Sequence, residues 1–196
     1  MQVMEIDALR PRAAQGVDPR GDGPGRSASS ELAAEPLARQ AGVDGGLGRQ
    51  VLVVDDEPPI RLLCAINLRL SGFDVVEAGD GSEALARAHD GAFDLVLLDV
   101  MLPHMGGFEV ARALAEHERT RLLPVAFLSA RDGLSDLRVG YGLGAVDYIT
   151  KPFDPVQLPE RVTEILDRVE RGESENFRLA RLAELDSQSP PSRAQD

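Results

Sequence analysis

A few residues in this chain have types and an order that can do chemistry together. They are the paired aspartates Asp55 and Asp56, a third aspartate at Asp99, a hydroxyl at Ser129 and the only lysine, Lys151. Twenty arginines carry the remaining positive charge, so arginine has not served at position 151. A lysine ammonium is a compact point charge on a flexible stem, whereas a guanidinium is a planar fork. Carboxylates gathered in one place repel each other and resist ionisation unless a cation joins them. A hard divalent ion such as Mg2+ fits an oxygen donor set of this kind, and no cysteine or histidine has the spacing of a zinc site. A divalent ion with an ammonium beside it suits a phosphoryl group, whose charge spreads over its oxygens during transfer. A carboxylate in that field can act as nucleophile and form an aspartyl phosphate.

This chemistry needs elements that bring residues 55, 99, 129 and 151 together. Short apolar runs precede each of them: "QVLVV" (50–54), "FDLVLLD" (93–99), "PVAFLSA" (124–130) and "AVDYIT" (145–150), with a further run "FDVVEA" at 73–78. Such runs read as strands buried on both faces. Helical segments are expected between and after them, over 58–71, 81–90, 107–118, 133–142 and 155–171. The alternation predicts an α/β fold, a doubly wound five-stranded parallel sheet with right-handed crossovers. Ligands of such sheets bind beyond the carboxyl ends of the strands, where all the candidate residues fall.

Four segments together resemble one family. "VLVVDDEP", "DLVLLDVMLPHMGGFEV", "PVAFLSA" and "GAVDYITKPF" occur in the order and spacing of the receiver domains of two-component response regulators, over residues 49–171. The resemblance implies the flavodoxin-like receiver fold, a (βα)5 unit. It implies Asp99 as phosphoacceptor and Mg2+ held by Asp55, Asp56, Asp99 and the backbone carbonyl of Met101. Lys151 is then expected to pair with Asp99 and later with the phosphoryl oxygens. Ser129 is expected to donate to the phosphoryl group, with small Ala130 leaving it room. Tyr148 takes the position of the family's aromatic switch, and Lys151-Pro152 that of its cis peptide. Ser129 also suits a helix cap, and Tyr148 simple packing at a strand end. Two residues depart from the family pattern in the loop after Asp99: His104 stands where glycine is common, and Gly106 where aspartate is common.

Composition bounds the rest. One cysteine excludes an intramolecular disulfide, and Cys64 is expected in the core. The net charge of −12 argues against general binding to nucleic acid phosphates. With no long apolar run and no secretory start, a cytoplasmic protein without membrane contact is expected. Residues 1–48 hold 8 of the 19 glycines and no aromatic, and read as a disordered extension with a weak helix over "SELAAEPLARQAG". Residues 172–196 read as a second extension, partly helical and then disordered, with no DNA-binding or catalytic motif. The expected partners are a histidine kinase or phosphotransfer protein and an unidentified downstream protein, without direct DNA binding. The protein is expected as a monomer or a phosphorylation-dependent homodimer, and as no enzyme beyond its own phosphotransfer.

Two alternatives stand beside this reading: an interaction module that works without phosphorylation, and a Mg2+-dependent phosphatase. The second needs an acid two residues after the nucleophile, where Met101 stands instead. Within the first helix, Ile60, Leu63, Cys64 and Leu68 are expected to be buried, and Leu62, Ile66 and Leu70 to form an outer apolar ridge. A tail helix over 174–186, capped by Ser174 and carrying Phe177, Leu179, Leu182 and Leu185, is expected to fold back on that ridge or to extend the fifth helix into a dimer.

Overall fold

The computed structural model describes residues 48–130 and 133–188. Five strands alternate with five helices: β1 (Gln50–Val54), α1 (Pro58–Leu70), β2 (Asp74–Ala78), α2 (Gly81–Asp90), β3 (Leu95–Asp99), α3 (Gly107–Glu116), β4 (Val125–Ser129), α4 (Leu134–Gly142), β5 (Asp147–Thr150) and α5 (Leu158–Glu170). A sixth helix, α6 (Ser174–Ser187), follows. The strands form one parallel sheet in the order β2-β1-β3-β4-β5. The expected extension over 1–48, with its weak helix, lies outside the described residues apart from Gly48, as do the last eight residues of the chain. No helix among the described residues is long and apolar enough to cross a membrane.

The sequence explains the layering. Strands β3 and β4 are buried along their whole length, because helices cover both sheet faces and leave no polar side. One core holds Val51, Val53, Leu95, Leu97, Ala126 and Leu128 against α1 and α5. The other holds Leu52, Val96, Leu98 and Phe127 against α2, α3 and α4. Alternate residues of each strand supply the two cores, as the period of two requires. Helix α2 starts cleanly: Asp80 accepts from the Glu83 N–H at 2.8 Å, and Glu83 accepts from the Gly79 N–H at 2.7 Å, a reciprocal capping arrangement. Helix α5 begins at Leu158, later than expected, because Asp154 caps a turn through the Val156 N–H at 3.0 Å and holds the chain out of the helix.

Three expectations need correction. Leu63 is not part of the buried stripe. It is 46% exposed, while Ala65 joins Cys64 and Leu68 inside. Ser174 does not cap α6; Glu173 is the N-cap without a side-chain bond, and Ser174 Oγ is buried with no partner. The tail helix neither covers the α1 ridge nor extends α5. Gly172 takes a left-handed φ of 69° and ends α5, with N–H bonds back to Val169 and Arg168 from Gly172 and Glu173. The chain then turns, and α6 packs against α4 instead. Leu185 is buried in the core that contains Tyr141 and Tyr148, with Phe177 and Leu182 against it. Helix α4 is short and carries two glycines, so it leaves part of the aromatic layer beneath it for α6 to cover. Leu62, Ile66 and Leu70 stay exposed as expected, Leu70 by 74%.

Candidate functional site

The strand order reverses between β1 and β3, so the ends of these two strands lie side by side. Val54 pairs with Leu98, and the next residues on each strand are Asp55 and Asp99. Strand β4 ends at Ser129, in register with Thr150 of β5, and Lys151 follows directly. A crevice at such a reversal point is where parallel sheets of this kind place ligands.

Lys151 lies between two carboxylates. Its Nζ is 2.6 Å from Asp99 Oδ2 and 2.7 Å from Asp55 Oδ2. The other Asp99 oxygen accepts the Met101 N–H at 2.8 Å, and the other Asp55 oxygen accepts the Glu57 N–H at 2.9 Å. Each carboxylate is therefore held by one backbone donor and one shared ammonium, which fixes its orientation. Asp55 and Asp99 are buried, whereas Asp56 is exposed at the mouth. One oxygen from each of Asp55, Asp56 and Asp99 can be chosen so that all three lie within 4.8 Å of one another. This hard, all-oxygen donor set fits a small divalent cation better than a softer metal.

Burial pushes the Asp55 carboxyl above its ordinary range, against the opposing pull of Lys151 and the Glu57 N–H. Burial also works to lower the Lys151 ammonium, but hydrogen bonds to Asp55 and Asp99 outweigh it and the net direction is upward. The lysine thus stays charged at neutral pH.

The remaining expected residues lie at different distances from this centre. Ser129 is fully buried at the end of β4, and its carbonyl accepts the Lys151 N–H at 2.7 Å. It does not cap α4, whose N-cap is Gly133. Ala130 is exposed and, with Lys151 and Pro152, lines an apolar groove of about 390 Å³ against Ile60, Leu63 and Cys64 of α1. The Lys151-Pro152 peptide is cis. Tyr148 is not among the carboxylates. It packs under α4 between Phe127 and Tyr141, with ring centroids at 5.8 and 6.4 Å. Met101 is half exposed beside Asp99. Glu57 is the N-cap of α1 and sits on the groove rim. Of the histidines, His104 and His117 are exposed, and His89 is half-buried and stacks on His117.

Several positioning features were missed in the sequence. The bond between Lys151 and Asp55 is one, and Arg61 is another, donating to the Asp55 carbonyl at 2.5 Å. Gly107 is a third. A Cβ at Gly107 would run into the backbone carbonyl of Asp99, so glycine lets α3 begin directly against the site. The doublet "GG" in the loop after Asp99 was the available signal.

The pattern of the response regulator receiver domain matches residues 51–163. The alkaline phosphatase synthesis transcriptional regulatory protein PhoP of Bacillus subtilis is 44% identical over 124 residues, covering 63% of this chain and 51% of the relative. The phosphate regulon transcriptional regulatory protein PhoB of Pseudomonas aeruginosa is 41% identical over 129 residues, covering 66% of this chain and 56% of the relative. The chain thus spans about half the length of these relatives. Among solved structures, the chemotaxis protein CheY4 of Vibrio cholerae superposes with a TM-score of 0.57 at 32% identity, over 60% of this chain and 98% of that one. The sheet order, the acidic cluster around a lone lysine and these matches agree: the chain belongs to the receiver domain family of two-component response regulators.

Proposed function

We propose that this chain accepts a phosphoryl group on Asp99 and uses it to switch contacts with other proteins. One observation carries this reading: Asp99 shares the Lys151 ammonium at 2.6 Å with Asp55, in a cluster of three carboxylates with oxygens within 4.8 Å. In the transfer, an Asp99 carboxylate oxygen attacks phosphorus of a phosphohistidine. The P–N bond breaks, the imidazole leaves, and an acyl phosphate forms on Asp99.

Asp55, Asp56, Asp99 and the Met101 carbonyl would hold Mg2+, which supplies positive charge against the phosphoryl oxygens. Asp55 keeps Lys151 charged and in place before transfer, and Lys151 then follows the new negative charge onto the phosphoryl group. A point charge on a flexible stem can make that move; a planar fork held between two carboxylates is poorly suited to it. The Met101 N–H holds Asp99 so that its carboxylate cannot rotate away. Ser129, at the end of β4, donates its hydroxyl to a phosphoryl oxygen. Ala130 leaves the approach open.

The donor is a histidine kinase or a phosphotransfer protein, and the apolar groove beside Lys151 with the α1 ridge gives it a surface to dock on. The two relatives above are named transcriptional regulators. For this chain we propose protein contacts as the output, because its charge of −12 opposes the DNA backbone. A cytoplasmic location follows from that exchange. No substrate other than the phosphodonor is turned over.

The test is acetyl phosphate with Mg2+, followed by intact-mass measurement. The parent chain gains one phosphoryl group and Asp99→Asn gains none. Equal labelling of both chains refutes Asp99, and no labelling of the parent by acetyl phosphate or a phosphohistidine donor favours the phosphorylation-independent module.

A further inference from the structure

Helix α6 lies outside the matched segment, yet its contacts are specific. It touches two different helices of the domain. On α4, Arg138 donates to Asp186 at 3.0 Å and to the Leu185 carbonyl at 2.5 Å, and Arg178 of α6 donates to the Tyr141 carbonyl at 3.0 Å. On α5, the Arg168 guanidinium lies 3.8 Å over the Phe177 ring. Phe177 also meets Tyr141 edge-on at 6.5 Å. Helix α6 therefore bridges α4 and α5 and holds them in one relative position.

Helix α4 connects to the site through packed groups. Strand β4, which ends at Ser129, precedes α4 in the chain. Tyr148 of β5 lies against Gly140 of α4, so closely that a Cβ on Gly140 would stand 3.1 Å from its ring. Tyr141, one residue on, carries the contact to α6. A pull on Ser129 or a shift of β5 next to Lys151 therefore reaches α4 without passing through α5. Helix α6 cannot follow α4 and keep its hold on Arg168 of α5 at the same time.

The hold is also weak enough to release. Only Leu185 of α6 is fully buried. With α6 in place, Ser174 Oγ at its start and Arg168 Nε, whose guanidinium lies over Phe177, are buried without hydrogen-bond partners, and unpaired buried polar groups are penalised. A helix of this length has little stability once detached.

We propose that α6 is an internal strap over the α4–β5 surface, displaced when Asp99 carries a phosphoryl group. The surface beneath it is a helix-binding surface, and the partner it fits is an amphipathic helix that offers an aromatic residue and leucines as α6 does. This rests on the phosphoacceptor reading of Asp99. Because binding couplings are reciprocal, the strap also weakens binding of a phosphoryl analogue at the site.

The experiment uses the full chain with Mg2+ and beryllofluoride as analogue. Hydrogen exchange over residues 174–187 is compared with and without the analogue, and analogue affinity is measured for the parent, Arg138→Ala and Phe177→Ala. Arg138 is a partly exposed side chain of α4, so its truncation keeps the fold even if Phe177→Ala disturbs it. The expected results are a loss of α6 protection on analogue binding, and affinity tightened by about 5-fold or more in the variants. Unchanged α6 protection in the analogue-bound parent, or variants that bind the analogue no more tightly, overturns the strap while leaving Asp99 intact. Failure of every chain to bind beryllofluoride, with no acetyl phosphate labelling, overturns both readings together.

Discussion

Removing the Lys151 ammonium tests how the site is held together before any phosphoryl group arrives. In Lys151→Met the side chain keeps much of its length and loses its charge. Asp55 Oδ2 and Asp99 Oδ2 then lose their shared donor, at 2.7 and 2.6 Å, and are left as two buried like charges. Each charge-assisted bond is worth about 1.5–3 kcal/mol, and breaking a buried ionic cluster by deleting one partner typically costs about 3–5 kcal/mol. Lys151 is 12% exposed and the pocket opens past Asp56, so solvent relieves part of the loss and the lower end, about 3 kcal/mol, is expected.

The pH dependence has a defined sign. Burial already raises the Asp55 carboxyl above its ordinary range. A raised carboxyl gives stability that is present at low pH and lost as pH rises through its folded value. Without Lys151 that carboxyl rises further, so the deficit of the variant is largest at neutral pH and shrinks on mild acidification. Lys151 itself is raised, so the parent has an additional loss of stability in the alkaline range where this ammonium deprotonates, which the variant lacks. Urea unfolding in chelator, at neutral and mildly acidic pH, reads both effects. Added Mg2+ is expected to restore much of the deficit, since a divalent ion supplies the missing charge. A variant within about 0.5 kcal/mol of the parent at neutral pH in chelator would show that Lys151 does not hold the carboxylates together.

Three further predictions use the surroundings of the site. Gly107→Ala forces a Cβ into the Asp99 carbonyl and is expected to cost about 3 kcal/mol and to slow acetyl phosphate labelling; Gly106→Ala, whose Cβ would make only ordinary contacts at 3.7 and 3.8 Å, is the control and should leave labelling unchanged. His104 holds a left-handed φ of 65° on an exposed loop, so His104→Gly is expected to raise stability by about 1 kcal/mol in urea unfolding, and a loss of that size would show that the side chain is doing more than straining the loop. Burial, with a smaller contribution from Asp55, pushes the Cys64 thiol up to about 11, so iodoacetamide is expected to leave the folded chain unlabelled at mildly alkaline pH and to label it only on unfolding; rapid native labelling would refute the burial.

The legible parts of this chain share one physical cause. Strands buried on both faces must be apolar runs, and a polar residue that ends such a run must emerge at the sheet edge. Asp55, Asp99, Ser129 and Lys151 all end or follow such runs, so the sheet and its crevice could be read together. The less legible parts depend on distances between loops. Nothing in the spacing of Asp55 and Lys151 says that they touch, since the contact is set by how the β5–α5 turn crosses the end of β1. Leu63 was misplaced for a similar reason. Its spacing points inward, but the side it faces is the open groove that it lines with Lys151, Pro152, Phe153 and Pro155.

The destination of α6 is the sharpest case. Its apolar residues announce that one face will be covered, and an apolar pattern carries no address. Two faces were available: the α1 ridge of Leu62, Ile66 and Leu70, and the aromatic layer of Phe127, Tyr141 and Tyr148 that the short α4 leaves partly open. Polar groups favour the second. Arg138, Arg168 and Arg178 each bind something across the α6 interface, whereas the arginine beside the α1 ridge, Arg69, is already engaged by the Val75 carbonyl and Glu77. The choice has a consequence for the site. With α6 on the α4 side, the open apolar approach to Lys151 runs along α1, through Leu63 and Ile60. Separate faces thus serve the two sides of the proposed switch: the α1 ridge, exposed among the described residues, is the face proposed for the phosphodonor, and the α4–β5 face is the one held by the chain's own helix until the site changes state.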